Sequence, residues 1–416
     1  MSELAFAPLA HFADVVMGQS PGADLCNTEE RGLPFLQGCA EFGASHPHSD
    51  IYCSPPLRVA KAGSVLISVR APVGTMNYAD QDYCIGRGLG AFKSKSGVLS
   101  TVFLKHAVEL NAAYLHRRSQ GSTFSAVSTD DVKTVPIPVF KPEKQEKIAN
   151  ILSGIDTAIE KTENLIAKYE QIKAGLMHDL FTRGVLPNGQ LRPSREQAPE
   201  LYQETAIGWI PKEWQYELLD KLAFRGSGHT PNKNFPEYWN GGIKWVSLSD
   251  SHRLDQLYIS DTELQISHKG IQNSSAVLHP AGIVVLSRDA GVGKSAITTG
   301  PMAVSQHFMC WKCDQKMDNH FLYYWLQFNK RTFENIAMGS TILTIGLPYF
   351  KKMKIACPVD PEEQRNIAAK MKASDARIFS LQDELSKLKQ QKQGLMHDLL
   401  TGKVPVKVKE PEVVDG

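Results

Sequence analysis

The sequence lacks a long hydrophobic run. No apolar stretch approaches the ~20 residues that are needed to cross a bilayer, and residues 1–6 have neither the basic start nor the apolar core of a signal peptide. The seven cysteines are odd in number and scattered through 416 residues, unlike the spacing of a disulfide framework. We therefore expect a cytoplasmic protein with no membrane association.

An excess of one charge is also missing. The 46 basic and 44 acidic residues give a formal net charge of +2, whereas dedicated DNA-binding domains are often more basic. Composition therefore permits nucleic-acid binding without arguing for it. The length fits two or three domains, and 42% hydrophobic residues allow each of them a buried core.

Signatures of catalysis are absent as well. There is no Asn-Pro-Pro-Tyr type tetrapeptide to hold a flipped adenine, because Ser-Pro-Pro-Leu at 54–57 lacks the amide and the stacking ring. No glycine-rich cofactor loop follows a strand. Asp131 and Lys133 supply only half of a nuclease site, and Lys133 is better explained as a phosphate contact. We predict no catalytic residue and no cofactor in this chain.

Two further motifs favour structural roles over chemical ones. A phosphate-binding loop requires a glycine where Arg288 stands, so the glycines at 291–293 predict a tight turn, with Lys294 as a candidate phosphate contact. Cys310 and Cys313 have the spacing of a zinc-ligand pair, but no second pair lies at a standard distance. The alternation of residues in this segment predicts a strand, and we predict no metal site.

The sequence contains one segment twice. Gly-Leu-Met-His-Asp-Leu occurs at 175–180 and again at 394–399, an offset of 219 residues. The same offset relates Pro-Glu-Lys-Gln at 142–145 to Pro-Glu-Glu-Gln at 361–364. Six consecutive identities are very improbable by chance, so the sequence indicates an internal duplication.

Each copy has the pattern of one long helix. Apolar residues recur at a and d heptad positions over five heptads in both copies, and one d position holds Lys173 in the first copy and Lys392 in the second. Each copy opens on a proline and closes near a capping glycine. We predict helices over 142–184 and 361–404, each of about 35 helical residues or roughly 50 Å, that form an antiparallel coiled coil. The alternative is that each helix packs on its own globular domain.

The regions before the two helices also match one another. Gly-Gln-Ser-Pro at 18–21 resembles Gly-His-Thr-Pro at 228–231, and Ala-Gly-Ser-Val-Leu-Ile-Ser at 62–68 resembles Ala-Gly-Ile-Val-Val-Leu-Ser at 281–287. Short β-branched runs between Gly, Pro, Asn and Asp indicate mixed, strand-rich globules. The predicted fold class is therefore α+β, with two such domains separated by the two helices in a pseudo-two-fold internal repeat.

The predicted order along the chain is globule, helix, globule, helix. We assign a first domain to 1–141, the first helix to 142–184, a linker and second domain to 185–360, the second helix to 361–404 and a tail to 405–416. The two globules share matching segments but differ in the rest of their sequence. This suits two domains that recognise different targets.

This arrangement resembles the DNA-specificity subunit of type I restriction-modification systems over nearly the whole chain. The resemblance rests on the alternation of globules and helices, on Ile-Gly-Trp-Ile-Pro-Lys-Glu-Trp at 207–214, and on the repeated helix ends. Arg-Ala-Pro-Val-Gly at 70–74 and Ile-Gly-Arg-Gly-Leu at 85–89 also look like segments of that family's target recognition domains. The second globule departs from this pattern, with Arg-Asp-Ala-Gly-Val-Gly at 288–293 in the corresponding place.

The resemblance implies separate roles for the globules, the helices and the partner subunits. Each globule would be a target recognition domain that reads one half of a split site in double-stranded DNA, and the paired helices would hold the two at a fixed separation. The chain would dock two copies of a methyltransferase subunit that uses S-adenosylmethionine to methylate adenine. Restriction-translocase subunits would join this complex for cleavage.

Two other functions stay open. A non-catalytic coiled-coil adaptor would assemble other proteins without sequence-specific DNA binding, and its assembly would not show the steep salt dependence of phosphate contacts. A nuclease or methyltransferase in its own right would show cofactor-dependent activity as the purified chain alone.

Polar and basic residues of the matching segments are the candidates for DNA contact, because phosphate contacts position a protein and base contacts specify its sequence. They are Gln19, Ser20, Arg70, Arg87, Ser122 and Lys133 in the first half, and His229, Thr230, Arg288, Lys294 and Ser340 in the second. The repeated helix ends supply the candidates for partner docking, which are His178, Asp179, His397 and Asp398.

Overall fold

The structure, a computed structural model, describes residues 4–43, 45–95, 100–119, 126–339 and 343–407. The chain forms two compact units, each mixed α/β and rich in short strands. The first unit contains Met1–Ile166 and Ser380–Gly416, and the second contains Ala167–Phe379. Within the described ranges, none of the helices is long and apolar enough to span a membrane.

The first unit consists of short strands and helices followed by part of a long helix. Its strands are β1 (Phe6–Pro8), β2 (Ala13–Met17), β3 (Cys26–Asn27), β4 (Leu33–Leu36), β5 (Tyr52–Cys53), β6 (Val59–Ala60), β7 (Val65–Ser68), β8 (Met76–Tyr78), β9 (Tyr83–Ile85), β10 (Leu89–Ser94) and β11 (Pro136–Pro138). Its helices are α1 (Leu9–Phe12), α2 (Thr101–Leu110), α3 (Ala112–Ser119), α4 (Thr129–Lys133) and the N-terminal part of α5 (Pro142–Thr182).

Two sheets organise this unit. Strands β2, β10, β7 and β8 form an antiparallel sheet in that order, and β3, β5, β4, β9 and β6 form another. Every residue of β7 is buried. Because successive side chains of a strand point to opposite faces, Val65 and Ile67 enter one hydrophobic core and Leu66 enters a second. The continuous apolar run at 65–67 thus reflects a strand that is covered on both faces.

The second unit repeats this kind of construction. Its strands are β12 (Tyr202–Thr205), β13 (Gly208–Pro211), β14 (Trp214–Leu218), β15 (Ala223–Ser227), β16 (Trp239–Val246), β17 (Tyr258–Ile259), β18 (Leu264–Ile266), β19 (Val284–Ser287), β20 (Ser295–Thr298), β21 (Ala303–Val304), β22 (Phe308–Cys313) and β23 (Lys354–Pro358). Its helices are α6 (His268–Gln272), α7 (Asn319–Phe328), α8 (Lys330–Ile336), α9 (Leu347–Lys352) and the N-terminal part of α10 (Pro361–Leu400).

Strand β19 occupies the same structural position here as β7 does in the first unit. It is the central strand of the sheet β15-β22-β19-β20-β17, and all its residues are buried. Val284 and Leu286 join one hydrophobic core, whereas Val285 joins another. A smaller sheet, β18-β16-β21, completes this side of the unit.

The two long helices begin at the predicted prolines. Helix α5 has 41 residues and α10 has 40, so each is roughly 60 Å long at 1.5 Å per residue and longer than the predicted length of about 35 residues. Gly184 and Gly402, which follow their C-terminal ends, have φ values of 67° and 71°, the left-handed conformation of a helix cap. The apolar residues at the predicted heptad positions are all buried or half-buried. Each compact unit contains a segment of both helices.

In the first unit these helix segments are joined by ion pairs. Lys392 of α10 lies 2.9 Å from Asp156 of α5, and Lys389, one turn earlier, lies 2.8 Å from Glu163. Residue numbers therefore rise along one segment as they fall along the other, so the segments are antiparallel. Lys392 also lies 2.6 Å from Glu109 of α2, which ties the helix pair to the globular part of the unit.

The second unit has a corresponding junction. Lys173 of α5 lies 2.5 Å from Asp375 of α10, and the hydroxyl of Tyr324 in α7 donates to the same carboxylate at 2.7 Å. The guanidinium of Arg377 lies 5.5 Å from the centre of the Tyr169 ring, so these segments are antiparallel as well. The two lysines at the same heptad position thus each pair with an aspartate of the other helix.

Acid is expected to weaken the junction of the first unit. Burial alone would raise the pKa of the Glu109 carboxyl, but His106, Lys105 and Lys392 outweigh burial and lower that pKa from 4.5 to about 2. Because the folded-state pKa lies below the unfolded one, Glu109 stabilises the fold above about pH 5 and loses this contribution as the pH falls towards about 2.

Glu109→Gln should therefore be less stable than wild type at neutral pH, and the difference should shrink as the pH falls through that range. Thermal unfolding followed by circular dichroism measures the difference. Tryptophan fluorescence identifies the second unit separately, because all six tryptophans belong to it. A difference that stays constant between about pH 5 and pH 2 would contradict this role of Glu109.

The linker after α5 is anchored by a buried ion pair in the second unit. The Arg192 side chain is 2% exposed and its guanidinium lies 3.2 Å from Glu363, near the start of α10. The same carboxylate accepts hydrogen bonds from the Val185 backbone N–H and from Trp214 Nε1, both at 3.0 Å. One acidic side chain therefore holds the end of α5, the linker and β14 together.

Candidate functional site

In the first unit, the loops after β2, β4 and β9 meet in a group of polar residues. The backbone N–H of Gln19 donates to Ile85 O at 2.9 Å. The Ser20 hydroxyl donates to Gln37 Oε1 at 3.1 Å and accepts from the Arg87 backbone N–H at 3.3 Å. The side chains of Gln19, Gln37 and Arg87 are exposed. We call Gln19, Ser20, Gln37 and Arg87 the first loop cluster.

The remaining candidates of the first half lie apart from one another. The Val69 backbone N–H donates to Gly88 O at 3.0 Å, which places the exposed Arg70 at the sheet edge that carries the first loop cluster. Lys133 is the half-buried last residue of α4, and the described contacts do not join it to the cluster. Ser122 lies outside the described residues.

The second unit has a comparable group of loops. The backbone N–H of His229 donates to Val304 O at 3.1 Å, and Trp245 Nε1 donates to the His229 carbonyl at 3.1 Å. The hydroxyl of Thr230 donates to Gln306 Oε1. The side chains of His229 and Gln306 are exposed. We call His229, Thr230 and Gln306 the second loop cluster.

A hydrogen-bond network continues from the second loop cluster to a buried carboxylate. Gln306 Nε2 lies 3.3 Å from His307 Nε2, and His307 Nδ1 lies 2.7 Å from Asp289 Oδ2. The other oxygen of Asp289 accepts from the Thr344 hydroxyl. Asp289 is only 9% exposed, so its charge depends on these donors, because an unpaired buried carboxylate is strongly unfavourable.

The basic candidates of the second half have partners within the chain. The Arg288 side chain is 18% exposed, and its Nε lies 3.6 Å from Asp289 Oδ1. Lys294 Nζ donates to Ser251 O at 3.1 Å. Lys294 follows the predicted tight turn, in which its backbone N–H donates to Gly291 O. Ser340 lies outside the described residues.

The two loop clusters have matching backbone hydrogen bonds. Three bonds of the first unit have counterparts in the second. Two are backbone pairs, Gln19 N to Ile85 O with His229 N to Val304 O, and Val69 N to Gly88 O with Arg288 N to His307 O. The third is donated by a serine hydroxyl, Ser68 Oγ to Arg70 O with Ser287 Oγ to Asp289 O. Asp289 therefore corresponds to Arg70, and Gln306 to Arg87. Reasoning from the sequence missed Asp289 and Gln306 as site residues, although each lies 219 positions after its counterpart.

A glycine permits the close approach of loops in each cluster. A Cβ atom on Gly18 would lie 2.1 Å from Gly86 O, and one on Gly228 would lie 1.6 Å from Val304 O. Both distances are far below van der Waals contact, so any side chain at these positions would displace the backbone. The glycines of the sequence pairs at 18–21 and 228–231 are thus required by packing.

The repeated helix ends present one exposed and one paired residue each. His178 and His397 are exposed. Asp179 and Asp398 form ion pairs at 3.3 and 3.6 Å with basic residues four and five positions later. The histidines are therefore the more accessible members of the four candidates for partner docking.

The cysteines at 310 and 313 lie on a strand, as the alternation of residues predicted. Burial raises the pKa of the Cys310 thiol to about 12 and also raises that of Cys313. Both thiols are therefore protonated and unreactive at neutral pH. Over the part of the chain that the structure describes, no group of three or more His, Cys, Asp or Glu side chains is arranged to hold a metal ion.

Known proteins match this chain in sequence. The family model described as the type I restriction modification DNA specificity domain matches residues 57–171 and 211–390. A specificity subunit assigned to the type I restriction enzyme MjaX of Methanocaldococcus jannaschii is 37% identical over 168 residues, which is 40% of this chain and 40% of that protein. The MjaVIII specificity subunit of the same organism is 24% identical over 326 residues, covering 76% of this chain and 73% of the relative.

The match to MjaIX, a third specificity subunit of this organism, is 30% identical and covers 42% of this chain and 41% of the relative. This chain therefore spans less than half the length of two of these relatives.

Solved structures match the fold along nearly the whole chain. The S subunit of a type I restriction-modification system from M. genitalium superposes with a TM-score of 0.59 at 14% identity, covering 96% of this chain and 97% of that one. A chain from a structure of a type I R-M system, described for its complex assembly and conformational transition, gives a TM-score of 0.58 at 14% identity and covers 97% and 99% of the two chains. At this level of identity the likeness concerns the fold alone.

Proposed function

Because the chain belongs to the family defined by the type I restriction modification DNA specificity domain, we propose that it reads a split sequence in double-stranded DNA for a partner enzyme and carries out no covalent chemistry itself. One target recognition domain, 1–141, reads one half-site, and the other, within 185–360, reads the second. The site residues predicted from the sequence are the starting set for these contacts.

The observation that carries this proposal is the pair of loop clusters. Their backbones share two hydrogen bonds, but their exposed side chains differ, with Arg87 in one unit and Gln306 in the other. A common scaffold with different polar side chains is what two readers of different sequences require, because hydrogen bonds to base edges carry the sequence information.

We propose that α5 and α10 form an antiparallel coiled coil that relates the two halves by pseudo-two-fold symmetry. The antiparallel contacts within each unit and the burial of the heptad positions support this arrangement. The repeated helix ends support docking of two identical partners, because a two-fold repeat offers the same surface twice. His178 and His397 are the exposed residues of those surfaces.

The proposed partners are two methyltransferase subunits that use S-adenosylmethionine to methylate adenine, and restriction-translocase subunits that join the complex. The proposal assigns S-adenosylmethionine to the methyltransferase and no cofactor to this chain. The relatives' names, which describe specificity subunits of type I restriction enzymes, support a role within a complex of this kind.

A genome-wide map of methylated adenines tests the function. In host cells that contain this chain and its methyltransferase partner, we expect methylation at a split motif with a fixed gap, and we expect this motif to disappear when the chain is deleted. An unchanged map, even with the methyltransferase co-expressed, would contradict the proposal and favour the coiled-coil adaptor. The adaptor would also assemble without the steep salt dependence of DNA phosphate contacts.

A further inference from the structure

We infer that Gln306 reads an adenine in one half-site, and that Thr230, His307 and Asp289 position its amide for this purpose. The inference rests on the proposed function, because it assigns one base contact to one of the two readers. It starts from the hydrogen-bond network that links the exposed glutamine to the buried carboxylate of Asp289.

With the His307 ring neutral, the network has one direction, which starts at Asp289. An ionised carboxylate only accepts hydrogen bonds, so His307 Nδ1, at 2.7 Å, carries a proton and donates it to Asp289 Oδ2. In the neutral imidazole the other nitrogen is then an acceptor. Gln306 Nε2, at 3.3 Å from His307 Nε2, therefore donates to the ring.

The other end of the network agrees with this direction. The Thr230 hydroxyl donates to Gln306 Oε1, so the oxygen of the amide faces Thr230 and its nitrogen faces His307. With a neutral His307 ring, the flipped amide would place Oε1 against an acceptor nitrogen, so both contacts are satisfied with Nε2 facing His307. Gln306 is thus held in one orientation although its side chain is exposed.

This orientation leaves a specific pattern free for a ligand. One of the two N–H groups of Gln306 and one lone pair of Oε1 remain unused after the contacts to His307 and Thr230. A donor beside an acceptor matches the major-groove edge of adenine, which offers N7 as acceptor and the N6 amino group as donor. A DNA phosphate, which offers only acceptors, would use half of this pattern.

The first unit provides a contrast that supports the assignment. There the position that corresponds to Gln306 is Arg87, whose side chain is exposed, and arginine matches the two acceptors of guanine. The matched backbones thus present different base-reading side chains, and the inference for Gln306 concerns the second unit alone.

The test compares methylation maps of cells that express the full-length chain with its methyltransferase partner. The variants are Gln306→Ala, Thr230→Val and Thr230→Ser, with Gln272→Ala as the control, an exposed glutamine at the end of α6. Gln306→Ala is expected to reduce the preference for adenine at one position of one half-site by about 5- to 150-fold, the range for one bidentate base contact. Thr230→Val, which removes the hydroxyl, should reduce the preference for adenine at the same position. Thr230→Ser, which keeps the hydroxyl, should retain this preference.

A map that Gln306→Ala leaves unchanged, or changes at a position whose wild-type base is not adenine, would overturn the inference while the split motif itself still supports the proposed function. Equal relaxation of both half-sites would also overturn it. If wild-type cells show no motif that depends on this chain, the proposed function fails and the inference fails with it. Gln306→Arg provides a gain-of-function measurement, because the preference at that position should change from adenine to guanine.

Discussion

Replacing Glu363 by alanine is expected to lower the free energy of unfolding of the second unit by about 3–5 kcal/mol. The side chain is 9% exposed, and its partner Arg192 is 2% exposed. Without the carboxylate, the guanidinium would keep only the largely exposed Glu213 carboxylate, at 2.6 Å, as an ionic partner. The Val185 N–H and Trp214 Nε1 would lose their shared acceptor. Removal of one member of a buried ion pair is costly because the remaining charge stays in the protein interior.

Urea unfolding followed by tryptophan fluorescence measures this loss, since all six tryptophans lie in the second unit. The matched control is Glu362→Ala, because that neighbouring side chain is 62% exposed and pairs only with the exposed Arg365 in the described contacts. It should change the free energy of unfolding by no more than about 0.5 kcal/mol.

Replacing the pair together, Arg192→Met with Glu363→Leu, should recover much of the loss, because no unpaired charge would then remain buried. If Glu363→Ala lowers the free energy of unfolding by no more than Glu362→Ala does, the hydrogen bonds of Glu363 do not hold the linker in place.

Gly228→Ala is expected to abolish recognition of one half-site and leave the other readable. The new Cβ would lie 1.6 Å from Val304 O, so the loop that carries His229 and Thr230 must move away from β21. Its hydrogen bond to Val304 O and the contact from Thr230 to Gln306 would be lost. Loss of several base contacts at about 1–3 kcal/mol each should weaken binding to the full site by at least roughly 30-fold.

The measurement is the binding of the chain, in complex with its methyltransferase partner, to DNA duplexes in which one or the other half-site is scrambled. Wild type should lose affinity when either half is scrambled. The affinity of Gly228→Ala should fall when one particular half-site is scrambled and stay unchanged when the other is scrambled. Gly300→Ala should behave as wild type, because no atom lies within 4 Å of a Cβ at that position. A Gly228→Ala complex that still responds to both half-sites would argue against separate readers.

The long helices were the most predictable part of the fold. Heptad spacing, an initial proline and a final glycine are all local signals, and the helices span Pro142–Thr182 and Pro361–Leu400. The sequence left open whether each helix packs on its partner or on its own globule. In the first unit both occur, because Ile148 and Leu152 join the globular core and Asp156 pairs with Lys392.

The site was less predictable because its residues act through contacts between segments that are distant in the sequence. The repeat offset of 219 residues pairs Arg70 with Asp289, as the hydrogen bonds also do, but Arg288 is the basic residue of that segment and so the predicted contact. An acidic side chain offers no phosphate contact, so the role of Asp289 became visible only through its hydrogen bonds to His307 and Thr344. Gln306 was missed for a related reason, since its partner Thr230 lies 76 residues earlier and only the fold brings them together.

The arrangement of the two units along the chain determines the order in which they can fold. The second unit is one continuous stretch, Ala167–Phe379, inserted between the two parts of the first. Met396, Leu399 and Leu400 belong to the hydrophobic core of the first unit, so this core stays incomplete until the end of α10 has left the ribosome. Domains generally mature in the order of their translation, but here the unit that begins first is the last that can finish.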